Sequence, residues 1–165
     1  MCISCGLCCD GTLFSSVQLF DGDDKTALLD AGASMRLDET DGLQKTYMKL
    51  GCPAHQEGRC QVYATRPKHC RQFKCKTLLA VENGQLPIEK ARSRIAEAKS
   101  FKQITQEAAV RADPALATRS TREIVSFSAD LLTDESKADQ RARYAPLLIE
   151  AMAFNLIIQE HFYED

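Results

Sequence analysis

The sequence predicts an α+β fold that is mainly α, in which a small N-terminal module of short strands and helices precedes a C-terminal antiparallel helical bundle. Two observations support this prediction. All eight cysteines of the 165-residue chain lie before residue 76. Beyond that point apolar residues recur at three- and four-residue steps, which is the period of an amphipathic helix. We therefore divide the chain into residues 1–78 and 79–165 and expect the two regions to pack as one compact unit.

Short runs bounded by turn residues predict the elements of the N-terminal region. Residues 12–20 alternate loosely between apolar and polar and predict an extended segment. Residues 25–33 follow a pair of acidic residues, which predicts a short helix. Residues 44–50 and 59–63 also alternate, and we expect them to pair as an antiparallel hairpin around the loop 51–58.

Proline marks the start of two predicted helices, because its ring is tolerated in a first helical turn. Pro67 begins a short helix that runs to about residue 76. Pro87 begins a long helix whose apolar face is formed by Ile88, Ala91, Ile95, Ala98, Phe101, Ile104 and Ala108. Residues 121–132 and 134–161 predict two more helices, the second with a stripe of Tyr144, Leu147, Leu148, Ala151, Met152, Asn155, Ile158 and Phe162. Such stripes form a bundle core without a cofactor.

Charge and hydropathy disfavour two classes of partner. A net charge of -2 and a pI of about 5.9 provide no overall attraction to nucleic acid or to anionic membranes. The most apolar stretch, residues 147–158, contains Glu150 and Asn155 and is too short to cross a bilayer. The N-terminus lacks the basic start and apolar run of a secretory signal. We expect a cytoplasmic monomer that binds neither membrane nor nucleic acid.

The cysteines predict metal ligands. In a reducing compartment thiols stay reduced, so metal binding explains eight cysteines better than disulfides do; a disulfide framework is the alternative if a signal peptide has been removed. A C-x-x-C turn lets two thiolates converge on one metal ion. Two such turns overlap in the first group, and the predicted ligands are Cys2, Cys5, Cys8, Cys9, Cys52, Cys60, Cys70 and Cys75.

The spacing of the cysteines predicts two centres. Cys8 and Cys9 are adjacent, so in an extended chain their side chains point to opposite sides. Cys70 and Cys75 are five apart, whereas residues three or four apart share a helix face, so either a helix ends between them or they serve different centres. We predict two four-sulfur sites, each drawing on both cysteine groups. Each structural zinc would contribute on the order of 10 kcal/mol to folding.

Basic residues surround the last cysteines, since residues 59–76 carry six lysines and arginines and no acid. These cations would offset the thiolate charge and lower cysteine pKa values; a small nucleic-acid or phosphate patch is the alternative. Arg66 and Arg71 are placed to hydrogen-bond thiolates or buried carbonyls. His55 and His69 could each replace a cysteine, but eight cysteines make this unnecessary. We expect the histidines to lie beside the ligands or at a partner-binding surface.

The cysteine pattern is similar to that of a known family. Its residues are Cys2-x-x-Cys5-Gly6-x-Cys8-Cys9, then Cys52, then Cys60-x-x-Tyr63-x-x-Arg66-Pro67-x-x-Cys70-Arg71-x-Phe73-x-Cys75. This pattern, over residues 1–78, resembles the CxxCxxCC cysteine-cluster family, the YkgJ-like proteins described as zinc- or iron-chelating. The resemblance implies metal chelation by the eight matched cysteines. Some larger relatives are flagellin lysine methylases with an iron–sulfur centre, but this chain has no G-x-G-x-x-G nucleotide loop.

Three hypotheses for function follow. The leading one is a metal-binding protein with two zinc ions in a structural or metal-handling role. The second is an iron–sulfur redox protein or enzyme, including a methylase-related one, in which Cys2, Cys5, Cys8 and a distant cysteine hold a 4Fe-4S cluster. The third is an adaptor that presents Arg66, Arg71 and Lys74 to a protein partner. The sequence identifies no catalytic residue, and we lean against an enzyme.

Overall fold

A computed structural model describes residues 2–40 and 42–163. Its internal contacts divide the chain into two compact units, Met1–Lys74 and Cys75–Asp165. Short antiparallel strands occur only in the first of these units among the described residues, and long helices occur in the second. The predicted fold class, α+β and mainly α, is confirmed.

A three-stranded antiparallel sheet organises the first unit. Its strands are β1 (Ser16–Leu19), β2 (Met35–Thr40) and β3 (Leu43–Lys49), in the order β1-β3-β2. Val17, Met48 and Met35 lie opposite one another across the three strands and share one face. That face covers a small core of buried residues, Leu19, Leu28, Ala33, Met48 and Leu50, against which Phe14, Cys52 and Val62 also pack.

Helix α2 (Lys25–Asp30) supplies the buried Leu28 to this core. Its start is fixed by Asp24, whose carboxylate accepts a hydrogen bond of 3.0 Å from the backbone N–H of Ala27. The predicted helix at 25–33 is therefore confirmed over its first six residues, and the predicted extended segment at 12–20 is confirmed over β1.

The predicted hairpin between residues 44–50 and 59–63 is wrong. Strand β3 pairs with β1 and β2, whereas β5 (Arg59–Cys60) pairs with β4 (His55–Gln56). Glu57 and Gly58 both have positive φ, the requirement of a two-residue hairpin turn, so residues 55–60 close on themselves. The sequence analysis also missed β2, an edge strand in which Met35 and Leu37 alternate with charged residues.

Three short helices carry or adjoin cysteines: α1 (Cys2–Cys5), α3 (Lys68–Gln72) and α4 (Lys76–Glu82). The helix predicted from Pro67 to residue 76 ends early, at Gln72. Phe73 adopts an extended backbone and packs edge-on against Phe14, with ring centroids 4.8 Å apart. The division after residue 78 that we drew from the sequence falls inside α4.

The second unit is a bundle of α5 (Ile88–Ala112), α6 (Thr121–Thr133) and α7 (Ala138–His161). The helices begin near the predicted residues, and Pro87 directly precedes α5. On α5 the buried residues are small: Ala91, Ala98, Thr105, Ala108 and Ala109. Ile88 and Ile104, which we predicted in the apolar face, are 40% and 36% exposed, because the buried face is centred on these small residues.

Helix α7 packs against both α5 and α6. It buries Tyr144, Leu147, Leu148, Ala151, Phe154 and Ile158. Met152, which we predicted in the core stripe, is 52% exposed, since it lies on the face of α7 that is turned toward solvent. Among the described residues, no helix combines the length and the apolar character that crossing a bilayer requires.

We predict that Ser120→Ala lowers the free energy of unfolding of the helical unit by about 1 kcal/mol. The Ser120 hydroxyl accepts a hydrogen bond from the Glu123 N–H at 3.3 Å, and the Glu123 carboxylate accepts one from the Ser120 N–H at 2.7 Å. Urea unfolding followed by circular dichroism measures the loss. Ser126→Ala, an exposed position on the same helix, is the matched control, and an equal loss there would contradict the capping argument.

Candidate metal centre

The first unit brings together Cys9 from the first cysteine group and Cys52, Cys60 and Cys70 from the second. Burial first, and then the charges that Cys60, Cys52 and Cys70 would carry, raise the pKa of Cys9 to about 12. The backbone N–H of Cys52 also donates a hydrogen bond of 2.7 Å to the carbonyl of Cys9. These four thiols, here called the Cys9 cluster, are near neighbours.

Four separate segments deliver the Cys9 cluster. Cys9 lies in the turn after α1, where its N–H donates to the carbonyl of Gly6 at 2.9 Å. Cys52 follows β3 and packs against the sheet core, Cys60 ends β5, and Cys70 lies in α3. Because these segments are distant in sequence, this grouping is a product of the tertiary fold.

The backbone around Cys52 is arranged to support a thiolate. Burial raises the pKa of Cys52, but the N–H groups of Ala54 and His55 donate to its sulfur and lower the pKa in part. Amide groups aimed at a sulfur stabilise its charged form, and hydrogen bonds of this kind accompany metal-bound cysteines.

Arg66 and Arg71 hold the segment that carries Cys70. Arg66 donates to the carbonyl of Tyr63 at 2.7 Å and to that of Cys70 at 3.5 Å, while its guanidinium lies 3.8 Å from the centroid of the Tyr63 ring. Arg71 donates to the carbonyl of Arg66 at 2.7 Å. Both arginines therefore bond backbone carbonyls, one of the two roles the sequence predicted.

The pKa of Cys70 is raised to about 11, first by burial and then by the neighbouring thiols of Cys52 and Cys60. The positive charge of Arg66 lowers it, and the negative charge of Asp23 raises it. Arg66 and Asp23 thus both influence the ionisation of Cys70, and Arg66 also helps to hold Cys70 in place.

Asp23 is a structural residue of the site that the sequence analysis missed. Its carboxylate accepts hydrogen bonds from the N–H of Lys68 at 2.7 Å and from the N–H of Phe20 at 2.8 Å. It thereby fastens the start of α3 to the turn after β1. His69 lies against the ring of Phe20, with centroids 5.5 Å apart. The acidic run at residues 21–24 was the available signal, but nothing in the sequence pairs it with residue 68.

The other cysteines occupy two places. Cys2 and Cys5 lie in α1, which packs against β5, and Cys8 follows in the next turn. Cys2 is exposed, and Cys5 and Cys8 are half-buried. Cys75 is the N-cap residue of α4 and begins the second unit. Seven of the eight cysteines therefore belong to the first unit.

His55 lies next to the first cysteine group. A β-carbon added at Gly6 would lie 2.5 Å from Cε1 of His55 and 2.6 Å from its Nε2, so the imidazole rests directly on the Gly6 backbone. Gly6 has a φ of +79°, a conformation that favours glycine. The Nε2 atom is buried and makes no hydrogen bond with any residue in the described part of the chain.

The donor set of the Cys9 cluster fits a soft metal ion. None of the eight cysteines, all of them described, forms a disulfide. The thiols of Cys52 and Cys60 make ionisation of Cys9 and Cys70 harder, and a bound dication reverses this effect, since a coordinated thiol is deprotonated outright. As they stand, no three His, Cys, Asp or Glu side chains in residues 2–40 and 42–163 are arranged to hold a metal ion.

Comparison with known families finds a match over residues 1–102. They match the family model CxxCxxCC, described as "Putative zinc- or iron-chelating domain". Neither a curated protein nor a solved structure matches the chain.

In the metal-free protein we predict that iodoacetamide modifies Cys9 far more slowly than the exposed Cys2. The thiolate is the nucleophile, and with a pKa of about 12 only about one Cys9 in ten thousand is ionised at pH 8. Peptide mass spectrometry measures both rates. The Cys9 rate should rise about tenfold per pH unit without levelling off below pH 10. A plateau near neutral pH would show that the pKa of Cys9 is not raised.

Proposed function

The chain belongs to the CxxCxxCC family of zinc- or iron-chelating domains, and from this premise we propose that it holds two zinc ions in two thiolate-rich centres. Metal chelation is the property of the family. The identity of the metal, the number of centres and their role are our additions. The observation that carries them is the grouping of Cys9 with Cys52, Cys60 and Cys70.

The Cys9 cluster is the first proposed centre. Its four sulfurs are the complete ligand set of a closed tetrahedral zinc site. Amide donors support Cys52, and the charge of Arg66 favours the thiolate of Cys70. Zinc binding includes a rotation of the cysteine side chains toward a common point, which the single side-chain torsion of cysteine permits.

Cys2, Cys5 and Cys8 supply the second proposed centre. Their C-x-x-C-x-x-C spacing over α1 and its following turn presents three sulfurs from one short segment. The spacing of the cysteines by itself assigns Cys75 to neither centre. The two centres then share no cysteine, which is consistent with the opposite directions expected for the adjacent Cys8 and Cys9.

A structural role is supported by what the Cys9 cluster connects. The turn after α1, the loop after β3, the hairpin β4–β5 and helix α3 all contribute to it. The apolar cluster under the sheet is small, with five buried residues among those that the structure describes, so metal ligation would supply much of the stability of this unit. The guanidinium groups of Arg66 and Arg71 already bond carbonyls, which gives less support to an adaptor surface built on them.

An iron–sulfur protein is the second candidate. The run Cys2-x-x-Cys5-x-x-Cys8 has the spacing of a ferredoxin-type loop, although the x-x-x-C-P ending is missing. Thiolates bind zinc and iron–sulfur clusters alike, so ligand type does not separate the two.

Purification without oxygen, followed by elemental analysis and a visible spectrum, tests the choice of metal. We expect a colourless protein with two zinc ions per chain. Serine substitution of Cys9 or Cys52 should remove one ion, and substitution of Cys2 or Cys5 should remove the other. A brown protein with inorganic sulfide would establish the iron–sulfur alternative in its place.

Removal of metal should unfold the first unit and leave the helical unit folded. We expect amide protons of β1, β2 and β3 to lose protection after chelation, whereas those of α5, α6 and α7 keep it. Hydrogen exchange resolved by peptide makes the measurement, with zinc re-addition as the control for reversibility. Unchanged protection in the sheet would mean that the metal does not stabilise this unit.

A further inference from the structure

We propose that His55, through its Nε2 atom, is the fourth ligand of the centre formed by Cys2, Cys5 and Cys8. The inference rests on the proposed function, because it names a ligand of one of the two proposed centres. It makes the ligand set four sulfurs in one centre and three sulfurs with one nitrogen in the other.

The fold places His55 beside the segment that carries these cysteines. His55 begins β4 and lies opposite Cys60 of β5, and α1 packs against β5. The imidazole rests on Gly6, which stands between Cys5 and Cys8 in the sequence. The ring therefore reaches the middle of the cysteine segment from the adjacent hairpin.

A β-carbon at Gly6 would lie 2.6 Å from Nε2 of His55, so this nitrogen lies against the cysteine segment. Nε2 is buried, and it lacks a hydrogen-bond partner in residues 2–40 and 42–163. A buried polar atom without a partner costs free energy, and such atoms are rare in native structures unless water, an ion or a ligand satisfies them. A zinc ion satisfies a neutral imidazole nitrogen directly, and three cysteines with one histidine form a common structural zinc set.

Gly6 is what allows this approach. Any side chain at position 6 would collide with the imidazole, since even a β-carbon would lie 2.5 Å from it. Gly6 also has a φ of +79°, a backbone conformation that favours glycine, so a side chain at this position is disfavoured for a second reason.

With His55 included, the first unit contains eight ligands of its own. Its seven cysteines and His55 together supply the ligands of two four-ligand centres within Met1–Lys74. The backbone N–H of His55 also donates to the carbonyl of Cys52 at 2.9 Å. The hairpin β4–β5 would therefore contribute to both centres, with Cys60 in one and His55 in the other.

The test is a ligand map of the full chain loaded with the spin-active isotope of cadmium, which replaces zinc at thiolate sites. Proton–cadmium correlation NMR detects coupling through each metal–ligand bond. We expect one ion to couple with the β-protons of Cys2, Cys5 and Cys8 and with ring protons of one histidine. The second ion should couple only with the Cys9 cluster, and Cys75 with neither ion.

Variants identify the histidine and provide the control. His55→Ala should remove the histidine coupling and weaken the binding of one metal ion by roughly tenfold or more, because even outer partners of metal ligands have effects of this size. His69→Ala, at the histidine that lies against Phe20, should leave the coupling and both affinities unchanged.

The outcomes separate this inference from the proposed function. Two bound ions that couple to cysteines only, with Cys75 among them, would overturn the role of His55 and leave the two-centre proposal intact. Binding of a single ion, or of an iron–sulfur cluster, would overturn the two-centre zinc proposal and with it the ligand assignment.

Discussion

The structure of the first unit depends on one electrostatic constraint, the proximity of four half-buried thiols. The charges that Cys52 and Cys60 would carry raise the pKa of Cys9 and of Cys70, so these groups cannot share their site as thiolates without a compensating cation. As neutral thiols they provide little cohesion. A dication changes repulsion into attraction and ties four chain segments together, which is why metal chelation accounts for this part of the molecule.

The surrounding structure serves to present these sulfurs. Asp23 connects the start of α3 to the turn after β1 by hydrogen bonds. The guanidinium of Arg66 donates hydrogen bonds to the carbonyls of Tyr63 and Cys70 and so holds this segment in place. Neither residue is a ligand, yet each also shifts the pKa of Cys70, in opposite directions. The same two side chains thus influence both the position and the ionisation of Cys70, while burial and the thiols of Cys52 and Cys60 are the larger causes of its raised pKa.

The second unit follows a different physical principle. Its helices begin at ordinary capping signals, such as Ser120 with Glu123, and bury a continuous apolar core. Small residues on α5 allow α7 to approach, and the Thr105 hydroxyl donates to the carbonyl of Glu150 at 3.3 Å. This unit has the packing of a bundle that folds without a cofactor, which is why we expect it to persist when metal is removed.

The sequence by itself determined the fold class, the starts of the long helices and the candidate ligands, because helical periodicity, capping and C-x-x-C spacing are local signals. It failed for the partner of β3, for the end of α3 at Gln72 and for Asp23, since each depends on residues far away in the chain. Local spacing suggested only that Cys8 and Cys9 diverge. The tertiary structure alone decided which cysteines Cys9 meets and that the buried Nε2 of His55 lies against Gly6, because only folding brings residues 6, 9, 52, 55, 60 and 70 into one neighbourhood.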